Sequence, residues 1–279
     1  MYANIIFLLK TIIIAIVEGI TEFLPISSTG HMIIIGHFIG FTDKFAIFYE
    51  VVIQLGAILA IVVLYWRKIS ESLRPGNLFN VKKSGFKLWF NIAIAFIPAA
   101  VIGLVFKKKI DKYLFNTLTV AIAMIVGGLL LFIIENKYRR TNKTRDIDDV
   151  SPMQSLKIGI FQCLSLWPGM SRSASTIMGG WISGLSTPVA AEFSFFLAIP
   201  TMLAASGLDL IKDRPTMTSI EIIALILGFI VAFLVALLVV EKFINFLNKK
   251  PMRVFAVYRI LLGIVLLVLA ALKVIVVTK

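Results

Sequence analysis

The chain has 279 residues, of which 59% are hydrophobic and only 15% are charged. Soluble domains are about half apolar and about one quarter charged, so a soluble globule, a disordered tail and a fibrous protein are excluded. We expect an all-α integral membrane protein with a single membrane domain over residues 1–279. The net charge of +13 would suggest nucleic acid in a soluble protein. Here the basic residues fall mostly in short loops, where they set topology and contact anionic lipid, so no nucleic-acid partner is expected.

The chain begins with a short apolar run, Ile5–Val17, that ends at Glu18 and Glu22 without a small-residue cleavage site, so we interpret it as part of the mature fold. A membrane helix needs about 20 apolar residues, and this run is shorter. It is followed by a polar, proline-containing break, Glu18–His31, and by a second short run, Met32–Phe41. A short helix, a break and another short helix predict a re-entrant hairpin.

The same arrangement occurs again in the second half of the chain. Three long apolar runs follow the first hairpin: Ala46–Trp66, Leu88–Phe106 and Leu114–Ile134. Two short runs, Leu156–Leu166 and Ala174–Leu185, then flank a second break, Trp167–Thr176. Three more long runs complete the chain: Pro188–Leu208, Ile222–Val240 and Val254–Leu272. The sequence therefore predicts six transmembrane helices and two re-entrant helix pairs.

The charges of the loops orient these helices. Fifteen Lys and Arg residues lie in loops 67–87, 135–154 and 242–253, against six in loops 107–113 and 209–221. The positive-inside rule places the fifteen in the cytoplasm and both termini outside.

The two hairpins then enter from opposite faces, so residues 1 to about 140 and about 150 to 279 form an inverted-topology repeat. A weak echo supports this: an offset of 144 residues superposes Ser27, Gly36 and Gly40 on Ser171, Gly180 and Gly184.

Ionisable residues inside membrane segments are costly and usually functional. Glu18 and Glu22 are four residues apart and share one helix face. The two carboxylates suit a shared divalent cation, Mg²⁺ or Ca²⁺, or one of them acts as a base. The alternative is a solvated helix end with two exposed acids, which the strongly apolar flanks disfavour.

Hydroxyl residues open the second half of each pair. Ser27-Ser28-Thr29 and Ser171-Arg172-Ser173 both precede a helical run, where they are typical N-caps. A half-helix N-terminus within the membrane also attracts anions, and Arg172 can clamp phosphate oxygens in a bidentate way. We expect both helix starts to meet near the membrane midplane.

Four further residues have weaker signals. His31 can move a proton near neutral pH, and its place beside a possible nucleophile and an anion clamp favours catalysis. Glu50 and Glu192 lie inside long runs, where they orient the breaks or pair with backbone or each other. Arg259 is expected to snorkel or to form an interior pair.

The two breaks resemble the two motifs of bacterial undecaprenyl-diphosphatases of the bacitracin-resistance type. The motif letters are EGITEFLPISSTGH in Glu18–His31 and PGMSRSAST in Pro168–Thr176. The resemblance continues through Glu50–Leu59, Gly127–Leu130 and Glu192–Pro200, and so covers essentially the whole chain.

This resemblance implies an integral membrane phosphatase of the cell membrane. Such enzymes hydrolyse undecaprenyl diphosphate to undecaprenyl phosphate and phosphate, which recycles the lipid carrier for peptidoglycan synthesis and confers bacitracin resistance. It also implies a divalent-cation requirement, a site open to the outer face, and an inverted repeat with two re-entrant pairs.

The resemblance also assigns the site residues. The acidic pair falls on Glu18 and Glu22, and the serine and histidine on Ser28 and His31, with Ser27 adjacent. The phosphate-binding group falls on Ser171, Arg172, Ser173 and Thr176.

Phosphoryl transfer depends mainly on positioning and charge neutralisation. We expect Ser28 to be the nucleophile, activated by His31 or Glu22. Attack by an activated water stays open, as does a polyprenyl-phosphate transporter or flippase, because broken helices are typical of transporters. A homodimer is a further open possibility.

Overall fold

A computed structural model describes residues 2–74, 76, 85–139, 143–212 and 216–275. The regular secondary structure in these ranges is helical, apart from one isolated bridge between Thr144 and Leu185. In chain order the helices are α1 (Tyr2–Thr21), α2 (Ser28–Ile39), α3 (Lys44–Leu64), α4 (Trp66–Ser72), α5 (Gly85–Leu114), α6 (Thr117–Tyr138), α7 (Pro152–Gln162), α8 (Arg172–Ile182), α9 (Thr187–Lys212), α10 (Ser219–Lys249) and α11 (Arg253–Ala271).

Seven helices of the described part are long and apolar enough to cross a membrane, namely α1, α3, α5, α6, α9, α10 and α11. Their outward faces carry apolar side chains. On α10 a stripe at every fourth position is 46–59% exposed, formed by Ile222, Ile226, Ile230, Leu234 and Leu238. A stripe of this kind suits contact with lipid. The expectation of an all-α, multi-pass membrane protein is confirmed.

The first apolar run belongs to a longer helix, α1, than the sequence predicted. This helix has 20 residues, because it continues through Glu18 and ends only at Thr21. Glu18 does not stop the helix because glutamate is a good helix former, and its side chain is buried within the protein. A Cβ at Gly19 would lie 2.8 Å from the Ala232 carbonyl oxygen, so α1 packs directly against α10 there. Seven helices therefore have a spanning length, where the sequence predicted six.

Two helices also extend into predicted loops. α5 continues to Leu114 through the basic segment 107–113, and α10 continues to Lys249 through most of 242–253. Lysine is a good helix former, so a cluster of charges at the membrane surface does not by itself end a helix.

The starts of α2 and α8 have the same local structure. Ser27 and Ser171 precede them at φ +69° and +66°, which few residues other than glycine adopt. Each serine hydroxyl accepts a hydrogen bond at 3.3 Å from the backbone N–H three residues later, at Gly30 and Ala174. The offset between the two serines is the 144 residues of the sequence echo.

The ends of these helices match as well. Gly40 and Gly184 follow them at φ +63° and +85°. The next N–H, from Phe41 or Leu185, donates to the carbonyl five residues earlier, at 2.8 and 2.9 Å, on Gly36 and Gly180. This is the left-handed C-cap that glycine favours. One backbone pattern thus recurs over a whole helix and both its caps.

Close contact between α6 and α11 joins the two halves of the chain. A Cβ at Gly128 would lie 2.9 Å from the Ala256 carbonyl oxygen, and one at Gly263 would lie 3.0 Å from that of Ala121. The backbones approach this closely only because both positions are glycine. α2 packs on α1, α6 and α11, whereas α8 packs on α6, α7 and α9.

Candidate active site

The breaks after α1 and before α8 lie side by side. The Ser173 hydroxyl on α8 donates to the Leu24 carbonyl in the first break at 2.9 Å. The Arg172 guanidinium lies over the Phe23 ring, 5.6 Å from its centroid. Phe23 in turn packs edge-on against Phe195 of α9. The structure therefore brings together the two segments in which the sequence placed the functional residues.

Glu22 is the residue that joins the two breaks chemically. Its Oε2 accepts a hydrogen bond from the Ser28 hydroxyl at 2.7 Å. Its Oε1 pairs with Arg172 Nη2 at 3.5 Å, across 150 residues of sequence. Both partners of this ion pair are largely buried. One carboxylate thus contacts the candidate nucleophile and the candidate phosphate clamp.

Arg172 is held in place by α9, which the sequence did not indicate. Its Nη1 donates to the Ser194 carbonyl at 3.1 Å. The Ser194 hydroxyl also lies 2.7 Å from the hydroxyl of Thr176. Ser194 lies within the long apolar run Pro188–Leu208, outside both breaks. Its contact with Arg172 uses a backbone carbonyl, which every residue has, so the sequence does not indicate it.

The predicted phosphate-binding hydroxyls divide into two groups. Ser173 and Thr176 are fully buried, and their hydroxyls already donate to Leu24 and Arg172 carbonyls. Ser171 is partly accessible, like Arg172, and its hydroxyl is used as the N-cap of α8. Ser171 and Arg172 therefore remain the more accessible phosphate ligands.

Glu18 lies one helical turn before Glu22. The Glu22 N–H donates to the Glu18 carbonyl at 3.0 Å, so the turn continues and both carboxyl groups share one side. Glu18 Oε1 is buried and has no hydrogen-bond partner among the described residues. Glu22 and Glu50 are carboxyl groups close enough to Glu18 to repel its negative charge. A buried carboxylate oxygen without a partner beside a second carboxylate suits a divalent cation.

The described residues contain no cluster of three or more His, Cys, Asp and Glu side chains that would form a complete metal cage. Mg²⁺ commonly binds through one or two carboxylates together with substrate phosphates. The donor set of Glu18 and Glu22 fits this kind of site.

His31 lies on the first turn of α2 but does not contact Ser28. Its Nδ1 lies 2.7 Å from the Ser27 carbonyl oxygen. Its Nε2 lies 2.7 Å from the hydroxyl of Tyr258 on α11, and the two rings stack at 5.6 Å. The contact with Tyr258 could not be expected from the sequence, because 227 residues separate it from His31.

The remaining ionisable residues have partners other than those expected. Glu192 pairs with Lys68 of α4 at 3.0 Å rather than with Glu50. Arg259 neither snorkels nor pairs with an acid among the described residues, because it is fully buried and donates to the Gly169 and Met170 carbonyls.

Residues 11–265 match the family described as bacitracin resistance protein BacA. The chain belongs to the BacA family. An undecaprenyl-diphosphatase of Clostridium tetani is 59% identical over 268 residues, which cover 96% of this chain and 98% of the relative. One from Clostridium perfringens strain SM101 is 56% identical over 98% of this chain and 99% of the relative. One from Thermoanaerobacter pseudethanolicus is 53% identical over 96% and 98%.

The resemblance seen in the two breaks is therefore confirmed along nearly the whole chain. Both breaks, and Tyr258 and Arg259 of α11, which contact them, lie inside the segment that matches the BacA family. The contacts described above thus belong to the part of the chain that defines the family.

Proposed function

We propose that the chain is an undecaprenyl-diphosphatase, which hydrolyses undecaprenyl diphosphate to undecaprenyl phosphate and inorganic phosphate. The observation that carries this proposal is the double contact of Glu22 with Ser28 and Arg172. A base, a hydroxyl nucleophile and a phosphate clamp are the groups that phosphoryl transfer to a serine requires. Their place among apolar helices suits a substrate whose polyprenyl tail stays in lipid. The reaction recycles the lipid carrier of peptidoglycan synthesis and confers bacitracin resistance.

In this mechanism Arg172, together with Ser171 and the start of α8, holds the terminal phosphate. Ser28 attacks the phosphorus and transfers its proton to Glu22, which already accepts its hydrogen bond. Undecaprenyl phosphate leaves, and water then hydrolyses the phosphoserine. Ser27, Ser173 and Thr176 shape the two helix starts that present Ser28 and Arg172.

A divalent cation, Mg²⁺ or Ca²⁺, completes the proposed site. Glu18 and Glu22 would hold it, because their carboxyl groups share one side of α1 and Glu18 Oε1 has no other partner in the described part of the chain. When bound, the cation supplies positive charge that neutralises the phosphate oxygens.

We place the enzyme in the cell membrane with its site open to the outer face. The matching caps of α2 and α8 support an inverted repeat of two halves, about 1–140 and about 150–279, within one membrane domain. α1–α2 and α7–α8 would be the re-entrant pairs.

A transporter or flippase for polyprenyl phosphate is the second candidate. The broken helices with matching local structure favour it, because transporter sites are commonly built from such halves. On this hypothesis the same groups bind a lipid phosphate and carry it across the membrane without cleaving it.

Phosphate release from undecaprenyl diphosphate in detergent separates the two, because a micelle has no two sides. We expect the wild type to release phosphate and Arg172→Ala to release essentially none. Arg253→Lys, at an exposed position at the start of α11, is the matched control and should keep wild-type activity. Near-normal turnover by Arg172→Ala would refute the clamp, and lipid binding without release would favour the carrier.

A further inference from the structure

Two consecutive residues of α11 reach the two different breaks. Tyr258 Oη lies 2.7 Å from His31 Nε2 behind the first break. Arg259 Nη2 donates to the carbonyls of Gly169 and Met170 in the second break, at 3.0 and 2.8 Å. Neighbouring residues on a helix point about 100° apart, so one helix can contact both segments.

The contacts of His31 fix its tautomer. A carbonyl oxygen can only accept, so the 2.7 Å contact with Ser27 assigns the proton of the neutral ring to Nδ1. Nε2 is then an acceptor, and the Tyr258 hydroxyl donates to it. Tyr258 therefore occupies the one lone pair that the neutral imidazole offers.

Arg259 is a fully buried cation that has no acidic partner among the described residues. Its Nε and Nη1 also lack hydrogen-bond partners there. A buried charge of this kind carries a large desolvation cost, which, within the described part of the chain, only its hydrogen bonds to the two carbonyls offset. Here they hold the Met170 carbonyl, and a trans peptide then directs the N–H of Ser171 to the opposite side.

We propose that Tyr258 and Arg259 are positioning residues of the phosphatase reaction. Tyr258 holds the His31 ring in one orientation on the first turn of α2, the helix that presents Ser28. Arg259 holds the turn that presents Ser171 and Arg172 to phosphate. This inference rests on the proposed function, but each half has a readout that needs no turnover.

Tyr258→Phe keeps the stacked ring and removes only the hydroxyl. We expect kcat to fall about tenfold, as for the loss of one hydrogen bond, with KM unchanged. Tyr113→Phe, at an exposed tyrosine at the end of α5, is the matched control and should keep both constants. A wild-type kcat in Tyr258→Phe would overturn this half of the proposal.

The imidazole itself can be observed, because the chain has only two histidines, His31 and His37. In ¹⁵N-histidine-labelled His37→Gln protein in detergent, His31 should show one protonated and one unprotonated ring nitrogen, as expected for the Nδ1–H form. Adding Tyr258→Phe should keep the Nδ1–H form, which the Ser27 carbonyl fixes, but should shift the Nε2 resonance toward that of a nitrogen without a hydrogen bond. An unchanged Nε2 resonance would contradict the contact between Tyr258 and His31, whether or not the protein turns over substrate.

Arg259→Lys keeps the charge, but lysine is shorter, so its ammonium falls short of the two carbonyls that Arg259 Nη2 reaches. We expect the inhibition constant of inorganic phosphate, and KM, to rise about tenfold with a smaller change in kcat. Arg253→Lys on the same helix is the control. A reduced kcat with an unchanged KM and an unchanged inhibition constant of phosphate would overturn the role in phosphate binding.

The two levels of proposal fail differently. Wild-type protein that releases no phosphate refutes the function, whereas active wild type with unaffected Tyr258→Phe and Arg259→Lys variants refutes only the positioning roles. Tyr258→Phe should change mainly kcat, and Arg259→Lys should change mainly KM. A general loss of folding would instead lower the amount of active enzyme in both variants alike.

Discussion

Replacing Glu22 by Gln tests whether this residue is the base of the reaction. Gln is nearly isosteric with Glu, so the packing around the break is preserved. The Ser28 hydroxyl donates to Glu22 at 2.7 Å in the wild type. An amide oxygen can still accept this hydrogen bond, but it cannot take the proton. The amide NH₂ would also face Arg172 Nη2, which is 3.5 Å from Oε1 in the wild type. The variant therefore loses the base and places two donors against each other.

The size of the effect follows from these two losses. Removal of a positioned general base costs about 10²- to 10⁴-fold in rate, which corresponds to roughly 3–5 kcal/mol. The loss of the ion pair leaves Arg172 buried with its Ser194 contacts, and its cation then becomes more available to phosphate. We therefore expect kcat to fall by about 10²-fold or more, while KM stays level or decreases.

Initial rates of phosphate release in detergent over a range of substrate concentrations measure both constants. Glu71→Gln, in an exposed i,i+4 pair with Arg67 on α4, is the matched acid-to-amide control and should behave as wild type. A Glu22→Gln enzyme that keeps kcat within about threefold of wild type would show that Ser28 is activated by another group, and the proton-transfer role of Glu22 would have to be abandoned.

Three further predictions concern other parts of the molecule. Trapping with labelled substrate should give a phosphoserine in the wild type and none in Ser28→Ala, and a wild type without a covalent intermediate would favour attack by water. Chelation should abolish phosphate release, and added Mg²⁺ or Ca²⁺ should restore it. Activity that survives chelation would refute the proposed cation site at Glu18 and Glu22. Gly263→Ala should lower stability by about 1–3 kcal/mol, because its Cβ would lie 3.0 Å from a carbonyl oxygen, and an unchanged thermal midpoint in detergent would contradict this packing.

The sequence identified the breaks because lipid makes polar residues conspicuous. Glu22, Ser28 and Arg172 stand out in apolar surroundings, and the structure brings them into contact. The length of α1 was mispredicted because a glutamate was assumed to end the apolar segment. Glutamate is a good helix former, so the helix continues through Glu18, whose side chain is enclosed by the protein rather than by lipid.

The residues that the sequence missed act over long distances or through the backbone. Ser194 holds Arg172 mainly with its carbonyl oxygen, which every residue possesses, so its identity gives no signal. Tyr258 meets His31 across 227 residues, a contact that depends on how α11 packs on α2. Arg259 was expected to reach water or an acid, and it binds backbone carbonyls instead. Each of these contacts requires the tertiary packing of helices to be known.

The two halves use one backbone pattern for two different chemical roles. Ser28 and Arg172 are both the first residue of a helix that follows a serine at positive φ, and they are 144 residues apart. The N-terminus of each helix carries partial positive charge, so two such ends and a guanidinium close together repel unless an anion lies between them. Glu22 is that anion in the free protein, since it contacts both side chains. A substrate phosphate brings the same charge to the same place, so its binding weakens the hold of Arg172 on Glu22 at the step in which Glu22 must accept a proton.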